Sequence, residues 1–236
     1  MWRLDFCVTE GVASLNSTAA LYRSEYKRVG TRRTRGELRN EILDAVRRAL
    51  RAGSYETLSM EHVAAHASIS RRTLYNLFVD KDDLYRSSCE RLLKSVSDIV
   101  TEDVPDKMSP LDGMRFFLAC CIEVYESDAA RDIILSVVRD GAHQQWLVQA
   151  YHRDIHDRLV RACENFILKQ TRHSPLPPDV PRYISEQLVG SVKSLTIGPH
   201  IFGYVRQPLP PTHERLEVLA KAYAAILLPR SNSATG

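Results

Sequence analysis

Apolar residues recur along most of this chain at intervals of three and four, the spacing of one helix face. Leu38, Ile42, Ala45, Val46 and Ala49 make such a face, and Gly53 stands where a helix-ending glycine belongs. No alternating apolar and polar run is long enough to read as a strand. Ser109-Pro110 restarts the helical pattern after a break over residues 101–109, as an N-cap with proline at the first helical position. Gly141 separates a helix ending near Arg139 from a long one reaching about Gln170. SPLPPDVP (Ser174–Pro181) and QPLPPT (Gln207–Thr212) read as linkers. A helix follows each, the first to about Ile197 and the second from Thr212 to just before Pro229.

Between Leu58 and Leu84 the pattern tightens. Ser59 is a good N-cap, with Leu58 before it and Val63 after it as an apolar staple. Ser70 repeats the device with Ile69 and Leu74, and Asp80 repeats it with Val79 and Leu84, adding Asp83 as an acidic variant of the capping box. Three helix starts so close together force a short helix, from Met60 to about His66, and a second one after a tight turn. That is a helix-turn-helix, whose second helix enters the DNA major groove by its N-terminal end.

The residues on that second helix suit the task. Arg71 and Arg72 lie in its first turn, where cations oppose the helix dipole and an anionic partner would reverse the sign. Arginine grips phosphate or reads guanine in a bidentate way. Ser70, Arg71, Arg72, Thr73 and Asn76 are the candidate reading residues, and Tyr75 can offer its hydroxyl to a phosphate. Leu74 and Phe78, four residues apart, face inward.

Composition adds limits more than direction. The chain has 236 residues, 44% hydrophobic and 26% charged, enough for one or two packed domains. No apolar run is long enough for a bilayer, and the N-terminus lacks the apolar core of an export signal. Five cysteines without metal or disulfide spacing suit a reducing, cytoplasmic setting. The net charge of +3 names no partner, but residues 21–51 hold ten Lys/Arg against four Asp/Glu, a balance of +6. Residues 1–33 read as a flexible basic arm. Arg33 and Arg35, within TRRTR (Thr31–Arg35), are placed to follow the DNA backbone or enter the minor groove.

From about Arg39 to Leu92 the sequence resembles the TetR family of bacterial transcriptional regulators. The matching residues are Ile42, Leu43, Ala45, Gly53, Tyr55, Thr57, Ser59, Val63, Ala64, Ala67, Ile69 and Ser70, then the run Thr73-Leu74-Tyr75, Phe78, Lys81 and Leu84. The resemblance implies an all-α fold. An N-terminal three-helix helix-turn-helix DNA-binding domain, over residues 34–100 with its connecting helix, precedes a C-terminal helical ligand-binding and dimerisation domain over 101–236. It implies a homodimer on a palindromic double-stranded DNA operator, with a small-molecule effector. It places Tyr75, Lys81, Thr57 and Ser59 at phosphate-contacting positions. The chain departs from the family at Ser68, where glycine is usual in the turn. A non-glycine residue held left-handed there costs roughly 1–2 kcal/mol.

Beyond residue 100 the expectations are coarser. Met114, Phe117, Cys121, Tyr125, His143, Trp146 and Tyr151 are candidates for an apolar pocket with a few polar groups. His152 and His156 stand four residues apart, but no carboxylate or cysteine completes a metal set, so neither a metal nor another cofactor is expected. Ile184, Leu188, Ser191 and Leu195 form one helix face, and Leu216, Leu219, Ala220, Tyr223 and Leu227 another. Two such helices per subunit could build a four-helix dimer interface. Two other readings compete: a helical enzyme using Cys120 or Cys121 with a histidine, for which no nucleophile motif or phosphate loop speaks, and an architectural DNA-binding protein without an effector.

Overall fold

The computed structural model describes residues 33–198 and 212–227. The expected arm up to residue 32 and most of the second linker lie outside these residues. The described residues are helical, without a strand. Packing divides the chain into two compact units, Met1–Glu41 and Ile42–Gly236. In the first unit a capping box is present at Thr34. Glu37 Oε2 accepts from the Thr34 N–H at 2.8 Å, and the Glu37 N–H donates to Thr34 Oγ1 at 3.2 Å. Arg33 pairs with Glu41 at 2.9 Å.

Helix α1 (Arg35–Ala52) buries Ile42, Leu43, Ala45, Val46 and Leu50. It ends at Gly53, but not because the glycine is left-handed. The Thr57 side chain occupies the place a Cβ would take. Short helices α2 (Met60–His66) and α3 (Arg71–Tyr75) follow, then the longer α4 (Lys81–Ser97). All three expected caps form. Ser59 accepts from the His62 N–H, Ser70 from Thr73, and Asp80 from Asp83. One detail differs at the third cap. Val79 is 79% exposed, so it does not staple to Leu84, and its N–H instead donates to Asp83 Oδ2 at 2.9 Å. Ser68 takes φ 53°, the strained left-handed turn position anticipated from its side chain.

The break at 101–109 separates α4 from α5 (Pro110–Glu126), yet packing runs across it within one compact unit. A further break, at Ser127, divides what the sequence suggested as one helix into α5 and α6 (Asp128–Asp140). The Ser127 hydroxyl donates to the Val124 carbonyl at 2.8 Å and accepts from the Ala130 N–H at 3.1 Å, closing one helix and opening the next. Helix α7 (Gln145–Tyr151) then passes through a π-turn (His152–His156) into α8 (Asp157–Gln170), followed by α9 (Val180–Thr196) and α10 (Thr212–Leu227). Gly113 lets α5 sit against the Phe166 ring of α8. No helix among the described residues is long and apolar enough to cross a membrane.

The faces expected to meet a second subunit are partly covered inside the chain, and Ser191, Leu195, Leu216, Leu219 and Tyr223 are half-buried. Leu188, Ala220 and Leu227 are buried, as α9 packs on α5 and α8 and α10 on α5. Periodicity marks which face is apolar, not what covers it. The large apolar residues left outside on these helices are Tyr183, 63% exposed, with Val218 and Ile226.

Candidate nucleic-acid interface

Helix α3 is held from within by Leu74 and Phe78, both buried against the short-helix segment. Everything else on it points outward. Arg71, Arg72, Tyr75 and Asn76 are exposed and Thr73 half-buried. Arg71 reaches back to Glu61 of α2 at 3.4 Å, an exposed and solvent-screened pair that an anionic ligand can replace. Arg72 makes no ion pair among the described residues. Ser70 is committed to its cap. Its Oγ accepts from the Thr73 N–H at 3.1 Å and lies 2.8 Å from Thr73 Oγ1, which fixes both hydroxyls at the start of the helix.

Lys81, the first residue of α4, is pinned. Its ammonium lies 4.2 Å from the centre of the Tyr55 ring and donates to the Glu56 carbonyl at 3.3 Å. The Tyr55 hydroxyl in turn bonds Asp82, which, with burial and the nearby acids, pushes the phenol up to about 12. Thr57 is exposed but locked. Its hydroxyl accepts from the Ser54 N–H at 2.9 Å and donates to the Ser54 carbonyl. Ser59 Oγ, besides capping α2, donates to Glu61 at 3.0 Å. Thr57 and Ser59 line a groove of about 500 Å³ with Arg48, His62 and His66. Those last three were not singled out from sequence, since a lone arginine and two histidines on exposed helix faces carry no pattern. Arg35 is exposed at the start of α1.

Helix α6 ties the segment to the rest of its unit through three polar residues. Buried Asp132 accepts from Arg47 Nε and from Arg51 Nε and Nη2, the latter two at 2.8 and 2.9 Å. Arg139 donates to the carbonyls of Leu50 and Gly53, capping the C-terminal end of α1 with a cation where the helix dipole favours one. Buried Asp140 accepts the Tyr55 N–H at 3.1 Å and the Tyr85 hydroxyl at 2.8 Å. Asp132, Ser136 and Asp140 share the buried face of α6. That polar stripe at four-residue spacing, in a helix otherwise apolar on that face, is the signal the sequence held and a motif search passes over.

The seven pocket candidates separate. Met114, Phe117, Cys121 and Tyr125 on α5, with Tyr151, are buried core. The hydroxyls of Tyr125 and Tyr151 are both buried and lie next to each other, with no other polar partner. Burial, and then the neighbouring Tyr151, push the Tyr125 phenol up, and burial pushes Tyr151 up to about 12. His143 is exposed on the turn after α6 and does not join them. Trp146 lies under the Arg86 guanidinium, 4.1 Å from the ring centre, beside an open groove of about 400 Å³ that also touches Leu93 and Arg153.

The sequence of this segment matches a known family. Residues 42–87 fit the family of "Bacterial regulatory proteins, tetR family". No curated protein matches the chain. Among solved structures, a TetR family transcriptional regulator from Pseudomonas syringae is 18% identical with a TM-score of 0.60, over 80% of this chain and 94% of that one. The flavonoid-responsive regulator FrrA is 17% identical with a TM-score of 0.61, over 83% and 100%. The transcriptional regulator FadR of Bacillus subtilis, in complex with stearoyl-CoA, is 13% identical with a TM-score of 0.53, over 79% and 96%. At these identities the structures speak for the fold, and the matched segment speaks for the module: the chain carries the DNA-binding helix-turn-helix of the tetR family of regulators, on the TetR fold.

Proposed function

We propose that this chain is a ligand-responsive transcriptional repressor that binds a palindromic operator as a homodimer. The observation that carries the reading is the outward face of α3. Two arginines, a tyrosine and an asparagine are exposed there on a helix whose only buried residue is Leu74. Arg72 reads a base edge and Arg71 exchanges Glu61 for DNA. Tyr75, with Lys81 steadied by Tyr55, grips the backbone. Two copies place their α3 helices in successive major grooves, about 34–36 Å apart, so the site is an inverted repeat.

The second subunit meets the outward stripes of α9 and α10. Tyr183, Gln187 and Gly190 follow one another at helical spacing, as do Val218, Ala222 and Ile226, and a side chain added at Gly190 would meet open space. The effector enters beside Tyr125 and Tyr151, whose buried hydroxyls have only each other as polar neighbours in an otherwise apolar wall. Relatives of this fold named for a flavonoid response or bound to stearoyl-CoA favour a large, largely apolar molecule. Its signal reaches the DNA-facing segment through α6, whose Asp132, Arg139 and Asp140 hold α1 and Tyr55.

Titrating labelled DNA from upstream of the chain's own gene, at several salt concentrations, tests this. The expected result is binding by a dimer that weakens steeply as salt rises. A monomer in sedimentation together with salt-independent binding would contradict it.

A further inference from the structure

We propose that His152, His156 and Asp157 form a binding site for one divalent transition-metal ion of the zinc class. The ligand atoms of the three residues lie within 4.8 Å of one another. Zinc bonds of about 2.0–2.2 Å call for separations somewhat shorter than that. His152 is exposed, and its ring, packed edge-on against Tyr151 with centroids 5.6 Å apart, turns against that contact to close the distance.

The backbone explains why sequence alone did not find the third ligand. In a regular α-helix the position five residues on points well away from the first, at about 140° around the axis. Here the chain makes a π-turn, and the Asp157 N–H donates to the His152 carbonyl, five residues back. The wider turn brings position 157 over position 152, so both histidines and the carboxylate share one face. π-turns inside α-helices are often found at functional sites.

Three further observations favour a ligand. Nδ1 of His156 is buried and has no hydrogen-bond partner, which leaves a nitrogen lone pair or N–H unanswered. The two imidazoles stand edge to face with centroids 5.1 Å apart, and no other ring separates them. Asp157 is only loosely engaged. Its partner Arg182 is 3.6 Å away and is also bound to Glu186 at 2.9 Å and Glu164 at 3.6 Å. Arg182 therefore keeps its pairing when Asp157 turns to a metal. Two imidazoles and one carboxylate suit zinc or a neighbouring first-row ion better than magnesium or calcium, which take mostly oxygen. Water completes the shell on the open side.

Cobalt(II) titration of the untagged full-length chain, followed by visible absorption, reads the site whether or not the chain binds DNA. The expected result is one equivalent bound, with ligand-field bands and no thiolate charge-transfer band, displaced by zinc. His152→Ala, at an exposed position that leaves the core intact, and Asp157→Asn each weaken cobalt binding at least about tenfold, while His143→Ala leaves it unchanged. Absence of saturable binding overturns the proposal. So does binding that survives His152→Ala unchanged, or a spectrum dominated by thiolate.

Discussion

The bond between Tyr85 and Asp140 offers a quantitative test of how the DNA-facing segment is held. Tyr85→Phe removes one hydroxyl and nothing else. The ring keeps its edge contacts with Tyr55, centroid to centroid 5.1 Å, and with Trp146 at 6.4 Å. The lost bond is 2.8 Å long, between groups 1% and 4% exposed, and its acceptor is a carboxylate. Hydrogen bonds to charged groups contribute about 1.5–3 kcal/mol, so Tyr85→Phe costs about that much. Asp140→Ala costs more, because it strands two donors, the Tyr85 hydroxyl and the Tyr55 N–H. At about 1–3 kcal/mol for each stranded buried donor, the loss is about 2–6 kcal/mol. In the double variant one of those donors no longer exists. Summed, the two losses therefore exceed the loss in the double variant by the Tyr85→Phe loss and the stranded-hydroxyl loss together, at least about 2 kcal/mol. Urea unfolding of the four proteins measures the cycle, with equal denaturant slopes showing that the unfolding reaction is the same. If the two losses add to within about 0.5 kcal/mol, the two residues act independently, and Asp140 is not the tie between α4 and the Tyr55 segment.

Other consequences follow from single features. Ser68→Gly relieves the left-handed turn at φ 53° and stabilises the protein by about 0.5–1 kcal/mol, the strain removed less the added chain entropy; thermal unfolding reads it, and a lower Tm speaks against the strain. Asp132→Asn weakens the hold of α6 on Arg47 and Arg51 and destabilises by about 1–3 kcal/mol, less than for a fully buried pair because the Arg51 side chain is 48% exposed; an unchanged urea midpoint would count against that anchor. Arg115, bonded to Glu217 at 2.6 and 2.8 Å, depresses the Glu217 carboxyl to about 2. A depressed carboxylate stabilises fully above its unfolded value of 4.5, and that part is lost as pH falls toward 2. The stability gap between the parent and Arg115→Gln therefore closes over that window in an acid titration, and a gap that persists at pH 2 refutes the link. Lys81→Ala weakens binding to all DNA sequences alike and lowers the salt slope by about one unit per subunit; a change in preferred sequence would instead make Lys81 a reader.

Local chemistry made part of this protein legible. Ser59, Ser70 and Asp80 act on backbone groups three residues away, so the sequence alone places α2, α3 and the start of α4. Leu74 and Phe78 follow for the same reason. Ser127 escaped because Ser-Asp-Ala-Ala suits a helix interior nearly as well as a helix start, and only packing decides between them. The ties from Asp132 and Asp140 reach back 81 and 85 residues, and no local pattern encodes a partner at that distance. The faces of α9 and α10 are legible as apolar, but their periodicity does not say what covers them: Leu188 and Ala220 find neighbours within the chain, while Leu195, Leu216, Leu219 and Tyr223 are half-buried. The nearness of Asp157 to His152 is not legible in the sequence, because regular helix spacing sets them apart and only the π-turn brings them together.

Selection of bound sequences from random DNA, repeated with Arg72→Ala, tests the central claim most directly. The account predicts that the parent selects an inverted repeat whose half-sites lie about one helical turn apart. Arg72→Ala should then lose about 1–3 kcal/mol of affinity and relax its preference at one symmetric pair of positions, with the remaining positions unchanged. Recovery of no enriched sequence, or of the same sequence with undiminished preference at every position from the variant, would contradict the assignment of α3 to the major groove.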